Sequence, residues 1–126
     1  MYYKGRKNKF NAKKTEFMGI KFDSKWEAER YGQLYAMEKA GAIKDLKLQV
    51  RYNIQVNDQK ICQYVADFVY QDMGLDGESP KEIVEDAKGV ETPEFKIKKK
   101  LMKAVFGTEI KITKKSGWQN TISFLI

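Results

Sequence analysis

Residues 81–92 read KEIVEDAKGVET. Ile83 and Val84 begin like a buried strand, but Glu85, Asp86 and Lys88 follow at once and Gly89 ends the run. Charges at the end of a buried strand cost free energy unless they are paired or bind something. Residues two apart on a strand share a face, so Asp86 and Lys88 project together while Glu85 and Ala87 point the other way. A one-residue slip of register would exchange Glu85 with Asp86. Alternation favours Asp86, because Glu85 cannot share a face with Lys88.

The segments upstream supply a sheet for this strand. LKLQVRYNIQV alternates from Leu46 to Val56, with Leu46, Leu48, Val50, Tyr52, Ile54 and Val56 on one side and Lys47, Gln49, Arg51, Asn53 and Gln55 on the other. NDQK at 57–60 is turn-like and ICQYVADFVYQ forms a second strand, so the two are expected to pair as an antiparallel hairpin. Asp67 interrupts this otherwise apolar strand, where an unpartnered acid is costly. Carboxylates on adjacent strands, Asp67 and Asp86, can hold one or two Mg²⁺ ions, with Mn²⁺ as a substitute. Lys88 beside them can orient or deprotonate water for attack on a phosphodiester. Asp-x-Lys alone is weak, and a surface salt bridge at a strand end is its bland explanation.

Helices flank the sheet in sequence. Ser24 precedes a run in which Trp26, Tyr31, Leu34, Tyr35 and Met37 share an apolar stripe, and Gly41 offers a stop, so a helix is expected over about 24–40. Glu27 has two open roles: it completes a capping box with Ser24, or its carboxylate faces a metal site. Thr92 and Pro93 have the form of a helix start, followed by an apolar side from Phe95 to Phe106 and a coat of Lys96, Lys98, Lys99, Lys100 and Lys103. EIKIT and TISFLI read as further strands.

Composition narrows the chemistry. The chain has 126 residues, the length of one domain, and 24 Lys+Arg against 17 Asp+Glu give a net charge of +7. That balance points to a polyanionic partner: DNA, RNA or an anionic membrane surface. Residues 1–16 form a basic arm, with Arg6, Lys7, Lys13 and Lys14 as phosphate contacts if it is more than a solvated tail, and residues 17–126 form one domain. No histidine is present, which excludes histidine triads and histidine general bases. One cysteine and no histidine argue against structural zinc, leaving carboxylates, lysines, hydroxyls and a hard cation. No apolar run approaches the roughly 20 residues of a membrane span, and no signal peptide is visible, so a cytoplasmic protein is expected.

FDSKWEAERY, YVADFVY and VEDAKG, in this order, resemble the PD-(D/E)xK nuclease superfamily, in particular a small phage and prophage family similar to Holliday junction resolvases and the TnsA-type transposon endonuclease. The resemblance covers roughly residues 16–112. It implies a restriction-endonuclease-like α/β fold, a mixed sheet flanked by helices with an α-β-β-β-α-β core. It implies Asp67 and Asp86 as metal ligands, Lys88 as the catalytic lysine and Glu27 as the carboxylate that completes the site. Ala66 stands where the motif's proline would be. Gln49 is a candidate for the edge of the site. The expected activity is Mg²⁺-dependent hydrolysis of branched DNA in phage recombination or replication, with Lys96, Lys99, Lys100 and Lys103 on the phosphate backbone. Symmetric cutting calls for a homodimer. No organic cofactor and no membrane partner is expected. Two readings compete: a non-catalytic DNA-binding accessory protein, and a sequence-specific restriction- or transposon-type nuclease.

Overall fold

The computed structural model of the chain describes residues 14–75 and 78–115. Two short strands, β1 (Thr15–Phe17) and β2 (Ile20–Phe22), are followed by helix α1 (Lys25–Lys39), strands β3 (Ile43–Val56), β4 (Gln59–Asp72) and β5 (Lys81–Ala87), helix α2 (Pro93–Phe106) and strand β6 (Lys111–Thr113). β3 to β6 form one four-stranded mixed sheet in sequence order. β3–β4 and β4–β5 are antiparallel, and β5–β6 is parallel across the α2 connection. The fold class is α/β, a mixed sheet flanked by two helices, in the expected α-β-β-β-α-β order.

Local chemistry sets the ends of these elements. Ser24 Oγ accepts from the Glu27 N–H at 3.1 Å at the start of α1, and Thr92 Oγ1 accepts from the Phe95 N–H at 3.1 Å at the start of α2. Gly107 closes α2 at φ 71°, a left-handed position that glycine reaches without a Cβ clash. Asn57 and Asp58, at φ 51° and 66°, join β3 to β4 in a two-residue turn with both centres left-handed, the geometry that suits strand twist. The turn is therefore shorter than the expected 57–60. β1 and β2, unforeseen in the sequence, pair around Met18 and Gly19, both at positive φ, so Thr15 and Glu16 belong to this hairpin and not to the arm. Arg6, Lys7, Lys13 and the TISFLI segment lie outside the described residues.

Each face of the sheet carries its own core. On the α1 face, Leu34, Ile43, Phe68 and Tyr70 are buried, with Tyr31, Leu46, Leu48, Ile83 and Ala87 packed against them. On the α2 face the buried group includes Ile54, Tyr64, Ala66, Val69, Val84, Phe95 and Met102, flanked by Val50 and Tyr52. The alternating residues of β3 thus do not share one side, contrary to the sequence reading. Leu46 and Leu48 pack toward α1, whereas Val50, Tyr52 and Ile54 pack toward α2. The change falls at Gln49, a non-glycine residue at φ 53°, a conformation that costs about 1–2 kcal/mol. β4 changes face with it, between Ala66 and Phe68, and the register of Leu48 with Phe68 and Val50 with Ala66 is kept. The two 14-residue strands therefore kink together at Gln49 and Asp67.

Candidate metal and phosphate site

β4 and β5 pair only from Phe68 to Asp72 on β4, and Asp67 and Asp86 would be the next pair in register. There the ladder gives way: Asp67 Oδ2 accepts from the Ala87 N–H at 2.9 Å. A side chain replaces the backbone acceptor, the strands part, and the two carboxyls are left in hydrogen-bond contact. The α2 face of β5 carries Asp86, only 2% exposed, whose Oδ2 accepts a 2.6 Å hydrogen bond from the Tyr64 hydroxyl. Lys88 Nζ sits 3.3 Å from Asp86 Oδ1 and 4.4 Å from the centroid of the Phe95 ring, an arrangement in which the aromatic face helps hold the ammonium.

Glu27 joins this pair from the first turn of α1 and is 4% exposed. Its amide bonds to Ser24, while its carboxylate contacts the backbone at Asp23 and the Asp67 side chain and accepts from Gln49 Nε2 at 3.1 Å. Glu27 thus serves the cap through its amide and the acid group through its side chain. The acids form a chain, Glu27 to Asp67 to Asp86, and not a ring around one point. Among the described residues no three such side chains are set as a metal-ligand group.

Burial pushes the Asp67 carboxyl up to about 9, helped by the charges of Asp86 and Glu27 and by its hydrogen bond to Asp86, while the Ala87 N–H opposes the shift. Burial, then the charge of Asp23, also raises Glu27. The Tyr64 hydroxyl is raised by burial and by Asp86, so it stays a proton donor to that carboxylate. The folded protein therefore holds the Asp67 proton up to about pH 9, while an unfolded aspartate releases it near about pH 4. Over that range the folded state binds more protons, so this group's contribution to stability falls as pH rises. In EDTA, the stability gap between Asp67→Asn and wild type should widen in the variant's favour from pH 5 to pH 8.5. Thermal melts at several pH values check this, and a constant gap would contradict the buried-proton assignment.

Glu85 faces away, as strand alternation requires. Fully buried on the α1 face, it accepts from Arg30 Nε at 2.5 Å, Arg30 Nη2 at 3.1 Å, the Tyr70 hydroxyl at 2.6 Å and Thr113 Oγ1 at 2.9 Å. Burial alone would raise its carboxyl, but the hydrogen bonds from Arg30 and Tyr70, the Arg30 charge and the Thr113 hydroxyl outweigh that and hold it below the usual range. Glu85 is thus a structural ion pair and not the metal ligand that a register slip would make it. Arg30, Tyr70 and Tyr64 were missed from sequence, where the tyrosines counted only as apolar positions.

A cleft of about 270 Å³ opens where β4 and β5 part, lined by Gln63, Tyr64, Val65, Asp86, Lys88 and the start of α2 from Thr92 to Lys98. Of the α2 lysines, Lys98 lines this cleft, ion-paired with Glu94 at 3.1 Å. Lys99, Lys100 and Lys103 border a separate cavity of about 440 Å³ with Glu109, and Lys96 is exposed. Lys99 pairs with Glu91 at 3.7 Å, Lys103 with Glu109 at 3.4 Å and Lys14 with Asp23 at 3.1 Å. Among the described residues no helix is long and apolar enough to cross a membrane.

The model of a family described as "Protein of unknown function (DUF1064)" matches residues 7–118. No curated protein matches the chain, and no solved structure does.

Proposed function

We propose that this chain, which belongs to the DUF1064 family, is a metal-dependent DNA endonuclease that prefers branched DNA. The supporting observation is the contact of half-buried Asp67 with buried Asp86 at a break in the β4–β5 ladder, with the Lys88 ammonium 3.3 Å from Asp86. Three neighbouring acids, one of them holding a proton that a bound cation would displace, stand against one bonded lysine. With oxygen as the only donor type, that set suits a hard divalent cation, Mg²⁺ or Mn²⁺, held by Asp67 and Asp86 with Glu27 beside them. Bound there, such an ion would neutralise charge on the scissile phosphate and the departing oxygen.

The chain's own groups have separable tasks. Tyr64 fixes the direction of the Asp86 carboxylate by donating to Oδ2. Lys88, held over Phe95, aligns water or a phosphate oxygen beside that carboxylate. The N-terminal end of α2 borders the same cleft, and the positive end of its dipole favours phosphate. Lys98 adds positive charge at the cleft wall, and Lys96, Lys99, Lys100 and Lys103 extend it along the helix. The charge of +7 supports a polyanionic substrate, while the preference for branched over linear DNA and the homodimer rest on the superfamily resemblance.

Two measurements test this. Labelled four-way junction, fork and linear duplex should be cut in Mg²⁺ or Mn²⁺ in that order of preference and left intact in EDTA; equal cutting of linear duplex would remove the structure selectivity. Lys98→Ala should weaken DNA binding and flatten the plot of log affinity against log salt by about one unit, the effect of one lost phosphate contact. An unchanged slope would place the DNA elsewhere.

A further inference from the structure

The geometry points to Gln49 as a positioning residue whose side-chain amide stands in for a cation between Glu27 and Asp67, and which must withdraw before Glu27 can serve as a ligand. This rests on the reading of Glu27, Asp67 and Asp86 as the cation-holding group. Gln49 Nε2 lies 3.1 Å from Glu27 Oε2 and 3.5 Å from Asp67 Oδ1. The NH₂ end of the amide faces both acids, donating to the Glu27 carboxylate and lying within reach of Asp67 Oδ1. The amide thus offers two donors to two acids at a place that a divalent cation would contest. Its position also accounts for the chain-like spread of the acids. Glu27 touches Asp67 but is also tied to Gln49, and the three acids do not close around one point.

The backbone aims this side chain. Gln49 is at φ 53° in mid-strand, opposite Asp67, where both long strands change face. A regular extended residue here would leave Val50, Tyr52 and Ile54 on the side of Leu46 and Leu48. The kink therefore serves both the α2 core and the amide bridge.

Two substitutions separate bridge from backbone. Glycine takes positive φ freely, and asparagine takes it more readily than most residues while its shorter amide does not span both carboxylates. Mn²⁺ titration at pH 8, followed by the electron paramagnetic resonance of free Mn²⁺, should show Gln49→Gly and Gln49→Asn binding at least about threefold tighter than wild type, since a competing hydrogen bond to charge is lost. Circular dichroism in EDTA establishes that each variant is folded, and where one is not, the other decides. Affinity equal to or weaker than wild type would overturn the inference, because the amide would then be neutral toward the cation or a ligand itself. An Asp86→Asn arm keeps the two claims apart. Wild-type binding that this variant loses sustains the metal reading, whatever Gln49 does. No Mn²⁺ binding by wild type would sink both.

Discussion

Asp86→Asn should lose DNA cleavage by on the order of a thousandfold or more while still binding DNA, since it removes a charged ligand and leaves the basic surface in place. The substitution is gentle on the fold. An asparagine oxygen can still accept from Tyr64, and one acid fewer faces Asp67. Asp67→Asn should behave alike, its oxygen still capping the Ala87 N–H, and at pH 8 in EDTA both variants should melt at or above the wild-type temperature. Activity lost with stability kept or gained is the signature of groups placed for function at a cost to the fold. Cleavage assays paired with thermal melts read both. Cleavage within tenfold of wild type in either variant would remove these residues from the site, and a large drop in melting temperature would assign them to structure instead.

Glu85→Ala should show the opposite pattern, a stability loss of about 3–5 kcal/mol, because Arg30 is left largely buried with its carboxylate partner gone. Against a total of roughly 5–15 kcal/mol for an ordinary domain, that leaves a marginal protein. Tyr70 and Thr113 also lose their acceptor, so the damage spans α1, β4, β5 and β6. Pairing Glu85→Met with Arg30→Met should recover part of the loss, since an apolar pair leaves no uncompensated charge. Urea denaturation of the single and double variants measures this; a loss below about 1 kcal/mol for Glu85→Ala would mean that water reaches Arg30 more freely than its burial indicates.

Neighbouring acids on one strand thus lie on opposite faces of the sheet, and strand alternation separated them in the sequence. It could not show what Glu85 does, because Arg30 lies 55 positions away on a helix face. The helix starts were legible for a local reason: Ser24, and Thr92 with Pro93, satisfy the first amides from within a few residues. The β1–β2 hairpin was not, since strands of three residues are too short to show a period. The kink at Gln49 escaped because a left-handed glutamine has no sequence signature, and the apolar alternation continues through it while the faces exchange. For the same reason Gln49 stood out only as a polar residue near the expected edge of the site. The acids themselves were legible, because charge inside apolar strands needs an explanation; their arrangement as a chain bridged by Gln49 emerges only from the packing of α1 on the kinked hairpin.

The most direct test of the account is single-turnover cleavage of a labelled four-way junction by wild type and Asp86→Asn, in Mg²⁺ and in EDTA, with DNA binding measured in parallel. Wild type should cut in Mg²⁺ alone, the variant should not cut, and both should bind DNA in every arm. Tight binding without cutting by wild type in Mg²⁺ would contradict it, leaving Asp67, Asp86 and Lys88 as the framework of a protein that holds DNA without hydrolysing it.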